Sequence, residues 1–140
     1  MKTRLMVVRE GRRSTAVLDT PAKVFRFMSR VLLRRDRETF VRLDLDARNR
    51  VLGWEIVSVG TLTQSLVHPR EVFKAAILSN AVGIIVMHNH PSGDPAPSPE
   101  DMRTTERLVE AGKLLGVPLI DHLIVTDDGG FFSFKEKGLL

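Results

Sequence analysis

The chain has 140 residues, the length of one domain, and its 43% hydrophobic and 27% charged content excludes an intrinsically disordered protein. It has no cysteine, which excludes a disulfide framework, a thiol nucleophile, an iron–sulfur cluster and any cysteine-liganded zinc site, the CxxC deaminase type included. The net charge of +4 is uneven: residues 1–70 carry 15 Lys and Arg against 7 Asp and Glu, and residues 71–140 carry 6 against 10.

The first eighteen residues read as two short strands, Arg4 to Arg9 and Thr15 to Leu18, around a turn at 10–13, or as a basic arm. Thr20-Pro21 is an N-cap followed by proline at the first helical position. Val24, Phe27, Met28, Val31 and Leu32 then form the apolar stripe of an amphipathic helix. In Val41-Arg42-Leu43-Asp44-Leu45-Asp46 apolar and charged residues alternate, which predicts a strand with one buried face, and Val51 to Val59 reads as its antiparallel partner. A helix is expected over 69–80 with Val72, Phe73, Ala76 and Ile77 inward. The apolar run Val82 to Met87 is expected as a central strand buried on both faces. Residues 89–97 hold three of the seven prolines and read as a loop. A helix over 99–115 starts at Ser98-Pro99 and stops at Gly116, with Pro118 beyond. Leu119 to Thr126 and Phe131 to Phe134 are the last strands, joined by a turn at 127–130. Strands alternating with helices, plus one hairpin, predict an α/β domain with a mixed sheet. No apolar run approaches the length of a membrane span, and nothing at the N-terminus reads as a signal peptide, so the expected location is cytoplasmic.

Chemistry concentrates between His88 and Asp101. Histidines two apart at a strand end point the same way, so His88 and His90 can reach one ion, and strand ends are where α/β sheets open their clefts. Asp101, in the first turn of the next helix, offers a carboxylate as a third ligand. Two nitrogens and one oxygen around an open fourth position is the pattern of a catalytic zinc, which brings the pKa of water near neutral for attack on a carbonyl. Plainer readings exist for each piece. Ser98-x-x-Asp101 resembles a capping box, and His88 and His90 could be loop histidines without a ligand role.

The pattern H-x-H-x7-S-x2-D, from His88 to Asp101, resembles the signature of the JAMM (JAB/MPN+) metalloprotease domain. GTLTQSLVHPREVFKAAI before it and DHLIV after it resemble the RadC-like branch of that family. The likeness runs from about Thr20 to the C-terminus, so a basic segment over 1–19 and a JAB/MPN domain over 20–140 are expected, without the further N-terminal helical segment usual in that branch. The resemblance implies a three-layer α-β-α fold of cytidine-deaminase-like architecture. It implies one zinc on His88, His90 and Asp101, hydrolysis of a peptide or isopeptide bond, and a glutamate from an earlier strand as general acid/base. Glu38 matches that glutamate, with Glu55 and Glu71 as reserves, and Ser98 matches the donor to the oxyanion.

His122 reads as a core histidine with a possible supporting role behind the metal, His68 as a weaker site candidate, and Asn89 as a brace for the loop. His88-Asn89-His90 is not an HNH nuclease motif, because the second histidine leads into a Pro-Ser-Gly loop instead of a ββα element. The basic first half, and the DNA-repair label borne by RadC-like proteins, keep nucleic acid open as a partner. An MPN-type interaction module without activity is the third possibility, disfavoured by the complete ligand set.

Overall fold

A computed structural model describes residues 16–60 and 67–140. The strand expected over Arg4 to Arg9 lies outside them, and of the second only Val17 shows an antiparallel bridge, to Arg50. The elements are α1 (Pro21–Leu32), β1 (Thr39–Leu45), β2 (Val51–Val59), α2 (Pro69–Leu78), β3 (Gly83–Asn89), α3 (Pro99–Leu115), β4 (Leu119–Val125) and β5 (Phe131–Ser133). The strands form one sheet in the order β2-β1-β3-β4-β5. β3 and β4 are parallel, joined by the α3 crossover, and every other pairing is antiparallel.

Each helix starts where a cap is available. Thr20 Oγ1 accepts from the Lys23 N–H at 3.3 Å and Pro21 opens α1. Gly116 closes α3 in the left-handed conformation at φ 73°, which relieves the last carbonyls at no steric cost.

Strand periodicity sorts the apolar residues onto two faces. Val41, Leu43, Leu45, Ile85, Met87, Leu123 and Val125 pack against Val24, Met28 and Leu32 of α1. Phe40, Ile84 and Val86 pack on the opposite face with Val72, Phe73 and Ala76 of α2 and Leu108 of α3. The result is the expected three-layer α-β-α domain with a mixed sheet.

Two expectations need correction. β1 is buried on both faces, because α2 covers the side that carries Arg42 and Asp44. Those two side chains form an ion pair beneath the Val72 carbonyl instead of facing water. Ile77 is 48% exposed and not inward. At 3.6 residues per turn it lies roughly 90° from the centre of the stripe set by Val72, Phe73 and Ala76.

Topology places the site. β1 runs antiparallel to β3 with Phe40 opposite His88, so the chain entering β1 lies beside the chain leaving β3. Glu38, two residues before Phe40, is carried to the same end of the sheet as His88 and His90.

Candidate metal centre

β3 ends in His88 and Asn89, and the following loop opens with His90. His88 is fully buried and His90 half-buried. Their Nε2 atoms lie 3.0 Å apart. Asp101 completes the group, with Oδ1 3.1 Å from His88 Nε2 and Oδ2 3.1 Å from His90 Nε2. One ligand atom from each of the three residues can be chosen so that all lie within 4.8 Å of one another.

The local chain holds each member in place. His90 Nδ1 sits 2.8 Å from the Asp94 carbonyl, which can only accept, so Nδ1 carries a proton and Nε2 is the atom turned to the cluster. Asp101 belongs to the expected capping box: Ser98 Oγ accepts from the Asp101 N–H at 3.1 Å, and Asp101 Oδ2 accepts from the Ser98 N–H at 2.8 Å. The cap and the metal-ligand reading of Asp101 are therefore compatible, since Oδ1 and the remaining lone pairs still face the histidines. Burial opposes the charge on Asp101, but the hydrogen bonds from His88 and His90 outweigh it and hold the carboxyl far below the usual carboxylate range. Burial also opposes protonation of His90, yet Asp101, the Asp94 carbonyl and the charge of Glu38 together raise its pKa. Two imidazole nitrogens and a charged carboxylate at this spacing can hold a divalent metal ion, and the donor types are those of zinc-like ions.

Glu38 lines a pocket of about 380 Å³ together with His90, Ser98 and Asp101. Its backbone is clamped on both sides. Asn89 Oδ1 accepts from the Thr39 N–H at 2.6 Å, Asn89 Nδ2 donates to the Arg37 carbonyl at 3.0 Å, and the Gly60 N–H donates to the Glu38 carbonyl at 2.8 Å. Asn89 thus braces the glutamate's segment of chain, a more specific task than steadying its own loop.

His122 lies on β4, fully buried, with Nε2 2.8 Å from His88 Nδ1 and Nδ1 2.6 Å from Thr105 Oγ1. Burial and then repulsion from His88 push its pKa well below the usual imidazole value, so it is neutral. Phe134 stacks on its ring at 4.7 Å and 5°, and Phe40 stacks on His88 at 5.9 Å and 18°. Thr105 and Phe40 carried no sequence signal. The only hint for Thr105 is its position four residues after Asp101, hence on the same helix face.

The remaining candidates sit elsewhere. His68 is the N-cap of α2, accepting from the Arg70 N–H at 3.3 Å through Nδ1. Glu71 pairs with Lys74 at 2.9 Å, and Glu55 pairs with Arg42 at 2.9 Å.

A three-layer α-β-α domain with a His-x-His strand end facing the first turn of the next helix is a JAB/MPN-like domain. The RadC-like JAB domain family matches residues 18–139, and the chain belongs to that family. Curated relatives carry the name UPF0758 protein. The one from Thermotoga maritima is 48% identical over 132 residues, 94% of this chain and 59% of that protein. The one from Methanosarcina mazei is 46% identical over 123 residues, 88% of this chain and 53% of that protein. A third, from Symbiobacterium thermophilum, is 51% identical over 123 residues, 88% and 52%. The chain spans a little over half the length of these relatives. Among the described residues, no helix is long and apolar enough to cross a membrane.

Proposed function

We propose that this domain is a zinc-dependent hydrolase of amide bonds, acting on a peptide or isopeptide link. The observation that carries this reading is the convergence of His88 Nε2, His90 Nε2 and the Asp101 carboxylate, with His90 and Asp101 lining one pocket together with Glu38 and Ser98. Zinc held by that set supplies a Lewis acid and a water of lowered pKa. Glu38 accepts the proton of the attacking water and returns it to the leaving amine. Its clamped backbone keeps the carboxylate at the pocket, where its charge already acts on His90. Ser98 Oγ spends a lone pair on the Asp101 N–H and keeps its own hydrogen for the oxyanion that develops on the substrate carbonyl.

Elemental analysis of the purified chain beside His88→Ala tests the metal directly. The expected result is one zinc per chain, lost in the variant. A chain that neither carries zinc nor takes it up on addition defeats the reading.

A second reading has one observation behind it. Arg26 and Arg30 lie four apart on the exposed face of α1, followed by exposed Arg34 and Arg37, and the first turn of α1 holds no acid. We propose that this face can hold nucleic acid through its phosphates. Affinity for duplex DNA is then expected at low salt and to fall steeply as salt rises, each phosphate contact contributing about 0.9 to the log–log slope. No binding at low salt removes this reading without touching the first.

A further inference from the structure

We propose that Thr105 and His122 are positioning residues that select the tautomer of His88 and thereby set the metal affinity of the site. This inference rests on the zinc reading above.

From the Asp101 backbone carbonyl to His88 Nδ1, one direction of donation satisfies each contact in turn. Thr105 Oγ1 lies 2.7 Å from the Asp101 backbone carbonyl and 2.6 Å from His122 Nδ1. The hydroxyl has one hydrogen. A carbonyl only accepts, and two oxygens at 2.7 Å with no hydrogen between them repel, so Thr105 donates to Asp101. The contact with His122 is then a hydrogen bond only if His122 Nδ1 donates. His122 is fully buried, and among the described residues its two ring nitrogens meet Thr105 and His88. An imidazolium there would lack a carboxylate partner. The neutral ring, protonated on Nδ1, is bare at Nε2, which lies 2.8 Å from His88 Nδ1. His88 must therefore donate from Nδ1, which leaves Nε2, 3.1 Å from Asp101 Oδ1 and 3.0 Å from His90 Nε2, as the atom offered to an ion.

Both histidines of the cluster then donate through Nδ1 and turn Nε2 to the ion site, His90 because of the Asp94 carbonyl and His88 because of this relay. The relay also closes on itself. It starts at the backbone of Asp101, crosses from α3 to β4 to β3, and ends on the ring of His88, so one ligand's position governs the other's protonation. A ligand histidine usually donates its second N–H to a carbonyl or carboxylate, which can only accept. Here the acceptor is another imidazole, which can do either. The choice is thereby passed to Thr105. With the opposite polarity, His88 would carry its proton on Nε2, donate to Asp101, and have to lose that bond and proton before holding an ion.

The test uses the metal-free protein as well as zinc binding. Nitrogen-15 NMR of the histidine rings in metal-free protein is expected to show His88 and His122 both protonated on Nδ1. Thr105→Val removes the acceptor for His122, and His88 is expected to shift its proton to Nε2, with zinc affinity, measured by chelator competition, falling by about 10–100-fold. Thr105→Ser keeps the hydroxyl and is expected to restore both. Unchanged His88 protonation in Thr105→Val, or zinc affinity within about twofold of wild type, overturns the relay while leaving the zinc reading intact. If wild type takes up no zinc yet Thr105→Val moves the His88 proton, the relay stands and the zinc reading falls. Should Thr105→Val fail to fold, His122→Phe, which keeps the stacked ring but not its nitrogens, is expected to give the same loss of affinity.

Discussion

Glu38→Gln is expected to lower amide hydrolysis by about 10²–10⁴-fold while zinc content stays at the wild-type value. Glutamine keeps the size and shape of the side chain and can still hydrogen-bond, but its amide cannot take a proton from water. The backbone on either side of the glutamate is held by other residues. Asn89 holds the peptide groups on either side, and Gly60 holds its carbonyl. The three proposed ligands, His88, His90 and Asp101, also contact one another without it. Substrate binding should therefore change little, and the loss should fall on kcat. Metal stoichiometry measured alongside turnover separates the outcomes. A variant that loses zinc makes Glu38 a ligand instead of a base. A variant that keeps activity within about tenfold moves the base elsewhere, and neither reserve is placed to replace it: Glu71 is engaged by Lys74 and Glu55 by Arg42.

The parts of this site that were legible in the sequence are those written in short-range periodicity. Residues two apart on a strand share a side, so His88 and His90 could be paired from spacing alone. Ser98-x-x-Asp101 announces a helix start because the unpaired amides of a first turn need acceptors, and the structure shows both halves of that box. Glu38 needed the family pattern, since nothing local distinguishes it from another glutamate at a strand edge. Its brace, Asn89, lies 50 residues from Thr39 along the chain. Thr105 meets His122 only because the α3 crossover lies over β4. A threonine inside a helix and a histidine inside an apolar strand each have an ordinary explanation on their own, and the contact that gives them a joint role is tertiary.

The alternation in β1 misled for a different reason. A period of two states that two kinds of residue occupy two faces; it does not state that the charged face meets water. Here α2 covers it, and the charges neutralise each other. Arg42 Nε and Nη2 fork onto Asp44 at 2.6 and 3.1 Å, and Nη1 reaches Glu55 at 2.9 Å and the Val72 carbonyl at 3.0 Å. The arginine is 1% exposed and Asp44 2%, so neither can turn to solvent.

Arg42→Ala is accordingly expected to cost about 3–5 kcal/mol of folding stability, read from the shift in urea midpoint, because it strands the Asp44 carboxylate in an apolar layer. Glu55 adds little to that cost, since its side chain is 42% exposed and can take up water instead. Arg42→Lys should recover only part, a single ammonium being unable to fork onto both carboxylate oxygens while reaching Val72. The decisive variant is the double replacement Arg42→Met with Asp44→Leu. It removes both charges and fills similar volume, and its stability is expected to return to about that of wild type or above it. Recovery in the double variant would show that the penalty belongs to the unpaired charge and not to lost packing under α2. A loss below about 1 kcal/mol in Arg42→Ala would mean instead that water reaches Asp44 and that α2 does not seal this face of β1.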